Sequence, residues 1–209
     1  MLYDLKLMLQ STRKKYVLNI LRAKGFNITC VTVANMLAIA ADEFNKEKFK
    51  QVIHHIIACC GNHENVGKTV LYKLAYFSDF DFYELNESKM TGEAYRNIQR
   101  GPAPIHFEEV IRELETEGKI LVSKRDYFSF GQFKYTSKVE PVVSLLSHKE
   151  LDVINGVIKK HSCKSASELS DLSHDDIPYK ATKPSDIIDY ELVFYRDEVT
   201  SVRVYEEDE

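Results

Sequence analysis

The run Gly61-Asn62-His63-Glu64-Asn65-Val66-Gly67-Lys68-Thr69 is the stretch whose residue types come nearest to phosphate chemistry. A phosphate-cradling loop needs a glycine, four residues, then Gly-Lys-Ser or Gly-Lys-Thr, because successive amides curl round the phosphate while the lysine reaches its outer oxygens. Here the spacing puts Asn62 where that first glycine should stand, since Gly61 lies one residue too early. The residues before it follow a helical pattern instead of a buried strand, and no apolar strand ends in an aspartate able to hold magnesium. The expectation is a loop in which Asn62 or Asn65 caps the next helix.

His54, His55, Cys59, Cys60 and His63 gather metal-binding residue types in one short stretch. His55 and Cys59 lie a helical turn apart, a spacing zinc can use, but His-x3-Cys-Cys-x2-His fits no common ligand pattern, and cysteine is often simply buried. With Cys30 and Cys163 the chain has four cysteines and no paired framework, which suits reduced thiols in the cytosol. His174 is the remaining candidate for catalysis. A general base needs an orienting partner and a nucleophile, and Asp175 and Asp176 adjoin it in sequence, where side chains diverge. His174 is therefore expected to bond backbone groups and shape the chain through Asp175-Asp176-Ile177-Pro178-Tyr179. No catalytic set, metal or cofactor is indicated, and the sequence reads as a binding protein instead of an enzyme.

Charge narrows the partners. Lys and Arg total 28 against 32 Asp and Glu, a net charge of −4, which disfavours phosphate backbones. A helix followed by strands resembles the reading helix and wing of a winged-helix module. That helix, however, carries Glu108, Glu109, Glu113, Glu115 and Glu117 against Arg112 alone. Phosphates would be repelled by it, so nucleic acid is not the expected partner. No apolar run of membrane-spanning length occurs and no leader pattern opens the chain, which predicts a cytoplasmic protein without a membrane partner.

The elements that would position these residues follow from periodicity. Met1–Phe26 and Thr32–Asp42 read as helices, and 1–44 as an N-terminal helical appendage for docking, oligomerisation or a remnant of a DNA-binding half. Asn45–Cys60 is a helix with Phe49, Val52, Ile53, Ile56 and Ile57 on one face. Val70–Phe77 is a second, predicted to run into an acidic turn at Asp79-Phe80-Asp81. A short helix is expected from Thr91 to Arg100, ended by a rigid bend at Gly101-Pro102-Ala103-Pro104, since neither proline donates a backbone hydrogen bond. The acidic helix starts near Ile105 and stops at Gly118. Lys119–Ser123, Tyr127–Phe130 and Phe133–Thr136 read as strands, with a turn at Lys124-Arg125-Asp126. Ser147-x-x-Glu150 and Ser165-x-x-Glu168 are capping boxes that open two more helices. Ser173–Lys183 reads as an irregular crossing, Ser185 as the start of a last helix, and Thr200–Tyr205 as a closing edge strand. The fold is expected to be mainly α (α+β): a compact helical domain over 45–209 with a small antiparallel sheet.

Five motifs occur in a set order: Lys73-Leu74-x-Tyr76-Phe77-x-Asp79; Thr91-Gly92-x-x-Tyr95; Arg100-Gly101-Pro102-x-Pro104; Ser173-His174-x-x-x-Pro178-Tyr179; and Ile188-x-Tyr190-x-x-x-Phe194-Tyr195. In these the chain resembles the Panacea, or SocA-like, antitoxin domain of bacterial and phage toxin–antitoxin pairs, over Phe49 to Tyr195. Ala103 stands where that family often has Val and Tyr179 where it often has Trp; both keep the apolar character. The resemblance implies an antitoxin that binds a cognate protein toxin directly. It marks Lys73, Tyr76, Asp79, Asp81, Tyr95, Arg100, Gly101, Pro102, Pro104, His174, Pro178 and Tyr179 as residues that bind the toxin or support the motif. Tyr76, Phe80, Phe82, Tyr83 and Tyr95 are expected to support or form that surface, and Asp79, Asp81, Glu108 and Glu109 to meet a basic toxin. A second copy of the chain is a further possible partner. The alternatives are a proteolytic adaptor that hands a toxin to a protease and a winged-helix-like transcriptional regulator.

Overall fold

One helix is buried along most of its length and on every side. Residues 68–86 form α2 (Lys68–Asn86), in which Val70, Leu71 and every residue from Lys73 to Glu84 are buried. A helix hidden on all sides belongs at the centre of a domain. The computed structural model describes residues 43–127 and 130–203, within a unit that begins at Asp42. The helices expected over 1–42 lie outside the described residues.

Around α2 lie α1 (Lys46–Cys60), α3 (Phe107–Thr116), α4 (His148–His161), α5 (Ala166–Asp175), the short α6 (Ile177–Ala181) and a 3-10 helix, Tyr190–Tyr195. Two separate antiparallel hairpins complete the unit: β1 (Tyr95–Ile98) with β2 (Gly101–Pro104), and β3 (Ile120–Tyr127) with β4 (Phe130–Ser137). The mainly α fold with a little antiparallel sheet is as expected. The sheet is divided in two, however. α1 begins where Asn45 accepts a hydrogen bond from the Lys48 amide. Both capping boxes form, Ser147 with Glu150 and Ser165 with Glu168. Among the described residues no helix is long and apolar enough to cross a membrane.

The core joins Phe49, Ile53, Ile56 and Ile57 of α1 to Leu71, Leu74 and Phe80 of α2 and to Phe107, Val110 and Leu114 of α3. Each such side chain contributes about 1.5–3 kcal/mol on leaving water.

Several expected boundaries move. α2 does not stop at Asp79-Phe80-Asp81 but continues to Asn86, because Phe80, Phe82 and Tyr83 prolong its apolar surface and both aspartates find buried partners. The helix expected over Thr91–Arg100 is the strand β1, and the rigid bend after it is the strand β2. Pro102 and Pro104 stand opposite Asn97 and Tyr95. Those two residues turn their own backbone groups the other way: Asn97 N donates to Asp186 O, and Ile188 N donates to Tyr95 O. The missing proline amides therefore cost the β1–β2 ladder nothing. β3 runs straight through Lys124-Arg125-Asp126, which pair with Phe133, Gln132 and Gly131. Ser173–Asp175 belongs to α5, and Ile177–Ala181 is helical with proline in its first turn. The last helix begins at Tyr190, five residues later than expected, because Ile187 bridges to Arg96 of β1. Thr200 to Arg203 forms no strand.

Candidate binding site around α2 and the first hairpin

The polar face of α2 is buried, so each of its charged groups requires a partner. In the second turn, Lys73 is 1% exposed and donates to the Pro102 carbonyl at 2.9 Å. Burial drags its ammonium pKa down to about 7. One turn on, Tyr76 donates to Asp176 Oδ2 at 2.7 Å. Asp79 receives the Thr91 amide at 3.1 Å, the Thr91 hydroxyl at 2.8 Å and the Tyr95 hydroxyl at 2.6 Å. Burial nonetheless pushes its carboxyl up to about 7, against the pull of those donors. Asp81 and Glu84 both accept from Arg196 Nη1, at 2.8 and 2.7 Å. Arg196 meets Asp176 with its other edge. Three carboxylates thus surround one guanidinium in the interior, and burial pushes Asp81 up to about 6.

An aromatic cluster fills the space beside these charges. Phe80 stacks on Tyr190 with centroids 4.2 Å apart, and Tyr76 and Tyr95 meet edge to face at 5.6 Å. Tyr190 also donates to the Glu93 carbonyl, which ties the 3-10 helix to the start of the hairpin. Tyr76, Phe80, Phe82, Tyr83 and Tyr95 are all buried and hold the interior instead of forming a surface.

The hairpin fits against this core through glycine. Gly101 has φ +90, and a Cβ there would stand 2.4 Å from Ser173 Oγ and 2.7 Å from Lys73 Nζ. Pro102 and Pro104 are buried beside it, and Pro178 is buried in α6. Tyr179 donates to the Ile98 carbonyl at 2.9 Å, while Asn97 Nδ2 donates to the carbonyls of Tyr179 and Thr182. His174 does not bond backbone groups as expected: its ring stacks on Tyr179 at 4.8 Å and its Nε2 has no partner among the described residues. Arg100 is exposed, in the hairpin turn.

The expected acidic face is split between interior and surface. Asp79 and Asp81 are 1% and 7% exposed. The glutamates of α3 are exposed but largely paired within the chain: Glu108 with Lys68, Glu109 and Glu113 with Lys46, and Glu117 with Lys50 and Lys119. Beside them a cleft of about 230 Å³ lies between Ile111, Arg112, Val122, Phe133 and Tyr135.

The phosphate-like loop is built to the opposite sign. The carbonyls of His63, Glu64 and Val66 converge on the Lys134 ammonium, so the loop offers acceptors inward where a phosphate would need amides. Asn65 does not cap α2; it donates to the carbonyls of Ser162 and Lys164, and the N-cap position is Gly67. In the His-Cys stretch, His54 pairs with Ser137 and His55 with Asn155, and Cys60 donates to the Ile56 carbonyl. Burial pushes the Cys60 thiol up to about 12.

The residues that sequence reasoning missed are Arg196, Glu84 and Asp176. Asp81 and Glu84 do share a face of α2 at helical spacing, but nothing local ties either to an arginine more than a hundred positions away.

The chain matches no curated protein and no solved structure. A family description does match, antitoxin SocA-like, Panacea domain, over residues 71–179. The matched span runs from the first turns of α2, through the hairpin that Lys73 and Asp79 hold, to Tyr179, which closes on Ile98. It takes in more than half of the 209 residues, and on that ground the chain belongs to the antitoxin SocA-like, Panacea domain family.

Proposed function

We propose that this chain is the antitoxin of a toxin–antitoxin pair, and that it neutralises a cognate protein toxin in the cytoplasm by binding it directly, without turnover. The family match over 71–179 carries this reading. The site geometry supports it. In the interior Lys73 bonds to the hairpin, Tyr95 to Asp79, and Asp81 to Arg196, so the motif serves a rigid scaffold. A preorganised scaffold loses little entropy on binding, which favours tight capture of one partner.

The test is co-expression with the product of the adjacent gene. Growth arrest by the neighbour alone, relieved when this chain is present, together with co-elution of the two as one complex, is the expected result. A harmless neighbour, or relief without any complex, overturns direct neutralisation. Toxin half-life separates blocking from delivery to a protease: it stays constant or lengthens for a blocker and shortens for an adaptor.

A further inference from the structure

The first hairpin is closed along both edges but open on one face. On one side, Asn97 and Tyr95 are bonded to residues 185–188, with Asn97 N on Asp186 O, Ser185 N on Asn97 O and Ile188 N on Tyr95 O. On the other, Pro102 and Pro104 carry no amide and the Pro102 carbonyl is taken by Lys73. No strand can add there. Alternation along β1 sends Tyr95 and Asn97 inward and Arg96 and Ile98 outward.

Residues directly opposite one another share a face, so Ala103 and Ile187 stand level with Arg96 on the outer side. Ile105, two residues beyond Ala103 and bonded through its amide to Ala94, extends the same row. Ile98, Ile105 and Ile187 are 38%, 42% and 48% exposed, an apolar patch over three adjacent lanes. Arg96 in its middle and Arg100 at the hairpin turn are exposed and form no ion pair among the described residues. On the third lane Lys183 is exposed with Asp186 and Asp189, one cation against two anions, and the two arginines outweigh that difference. The acidic helix α3, by contrast, has most of its charge answered within the chain.

We propose that this outer face of the hairpin, centred on Ile98, Ile187 and Arg96, is where the chain docks its protein toxin, through an apolar segment of the toxin that carries carboxylates. The toxin as occupant rests on the antitoxin reading above. The apolar and anionic character of what binds follows from the face itself: apolar side chains interleaved with exposed guanidinium groups select an apolar partner of opposite charge.

Two measurements test it, each on the full chain as wild type, Ile98→Asp with Ile187→Asp, Arg96→Glu with Arg100→Glu, and Lys149→Glu as a control on α4. All these side chains are exposed, and unchanged melting temperatures verify the folds. The first titrates 1-anilinonaphthalene-8-sulfonate, a small apolar anion, onto the chain alone. Its fluorescence enhancement should fall at least about fivefold in both hairpin variants and stay unchanged in the control; equal binding by all four overturns the proposal. The second measures affinity for the adjacent gene's product. A loss of at least about tenfold in both hairpin variants, with the arginine effect shrinking at high salt, is expected. Wild-type binding that the hairpin variants retain leaves the antitoxin reading standing and overturns the docking face. No wild-type binding, with the dye result intact, overturns the antitoxin reading and leaves a face for apolar anions. Hairpin variants that change only self-association make the face an interface between copies, and the proposal falls.

Discussion

Arg196 presents the edge of its guanidinium to Asp176, Nε 2.9 Å from Oδ1 and Nη2 2.8 Å from Oδ2, with neither side chain exposed at all. The pair is more than local. Asp176 joins α5 to α6 and also accepts from Tyr76 of α2, while Arg196 follows the 3-10 helix and reaches Asp81 and Glu84. One guanidinium therefore pins the end of the described chain to the central helix. Glu84 reinforces the pin by accepting from the Ser201 hydroxyl at 2.5 Å and the Val202 amide at 3.3 Å.

Replacing Arg196 by Met should cost about 3–5 kcal/mol, because it leaves three carboxylates buried without their cation. Urea unfolding reads this directly. The cost should be smaller at acidic than at neutral pH, since Asp81, already pushed up to about 6 by burial, can shed its charge by taking a proton. A loss below about 1 kcal/mol, the scale of an exposed pair, would mean that the cluster is wet.

Asp79 makes the domain sensitive to pH in a defined direction. Its folded pKa lies above the unfolded value, raised from 3.8 to about 7, chiefly by burial. As pH rises from about 4 to about 7 the unfolded chain therefore loses its proton first, and stability falls through that window. Asp79→Asn removes this group from the titration. The stability lost between acidic and neutral pH, measured by urea midpoints, should be smaller in the variant than in wild type. Equal losses would show that Asp79 stays ionised on its Thr91 and Tyr95 donors.

What the sequence made legible was what its local chemistry decides. Ser147 with Glu150 and Ser165 with Glu168 each satisfy a helix end within three residues, and both boxes formed. The acidic pattern of α3 also stood out, because its apolar side, Phe107, Val110, Ile111 and Leu114, repeats cleanly. α2 was cut short at Asp79 because a buried aspartate makes sense only once Thr91 and Tyr95 are in place beside it. The hairpin was read as helix and bend because β1 offers only four alternating residues, and its prolines looked like breakers until their register put them opposite Asn97 and Tyr95. Asp79 and Asp81 belong to the interior, so lysine substitutions there would test the core and not a docking surface. Arg196 carries no local mark at all. Its three partners lie 20, 112 and 115 positions away.

Two glycines should respond in opposite ways to alanine. Gly101 sits at φ +90 with Ser173 Oγ and Lys73 Nζ where a Cβ would go. Gly101→Ala should cost about 1–2 kcal/mol for the backbone and about 1–3 more for crowding. Gly156 lies inside α4 with open space around its Cα, so Gly156→Ala should add about 0.5–1 kcal/mol. Thermal melts of the two variants check both signs, and a neutral Gly101→Ala would mean that the hairpin can lift off α2.

Lys73 gives the last pH signature. Its ammonium is 1% exposed and its hydrogen bond is to a neutral acceptor, the Pro102 carbonyl. Burial therefore lowers the pKa from 10.5 to about 7. The folded value lies below the unfolded one, so between about 7 and about 10 the unfolded chain keeps a proton that the folded chain has shed. Stability contributed by this group should rise with pH across that window, by about 1.4 kcal/mol for each unit of depression. Lys73→Met cannot titrate, and it leaves the Pro102 carbonyl without its donor at every pH. The advantage of wild type over the variant should thus widen steadily from neutral to alkaline pH in paired urea unfolding curves, where the tyrosines common to both cancel. A difference that stays flat across the window would mean that the amine is solvated in the folded protein and that β2 does not seal it in.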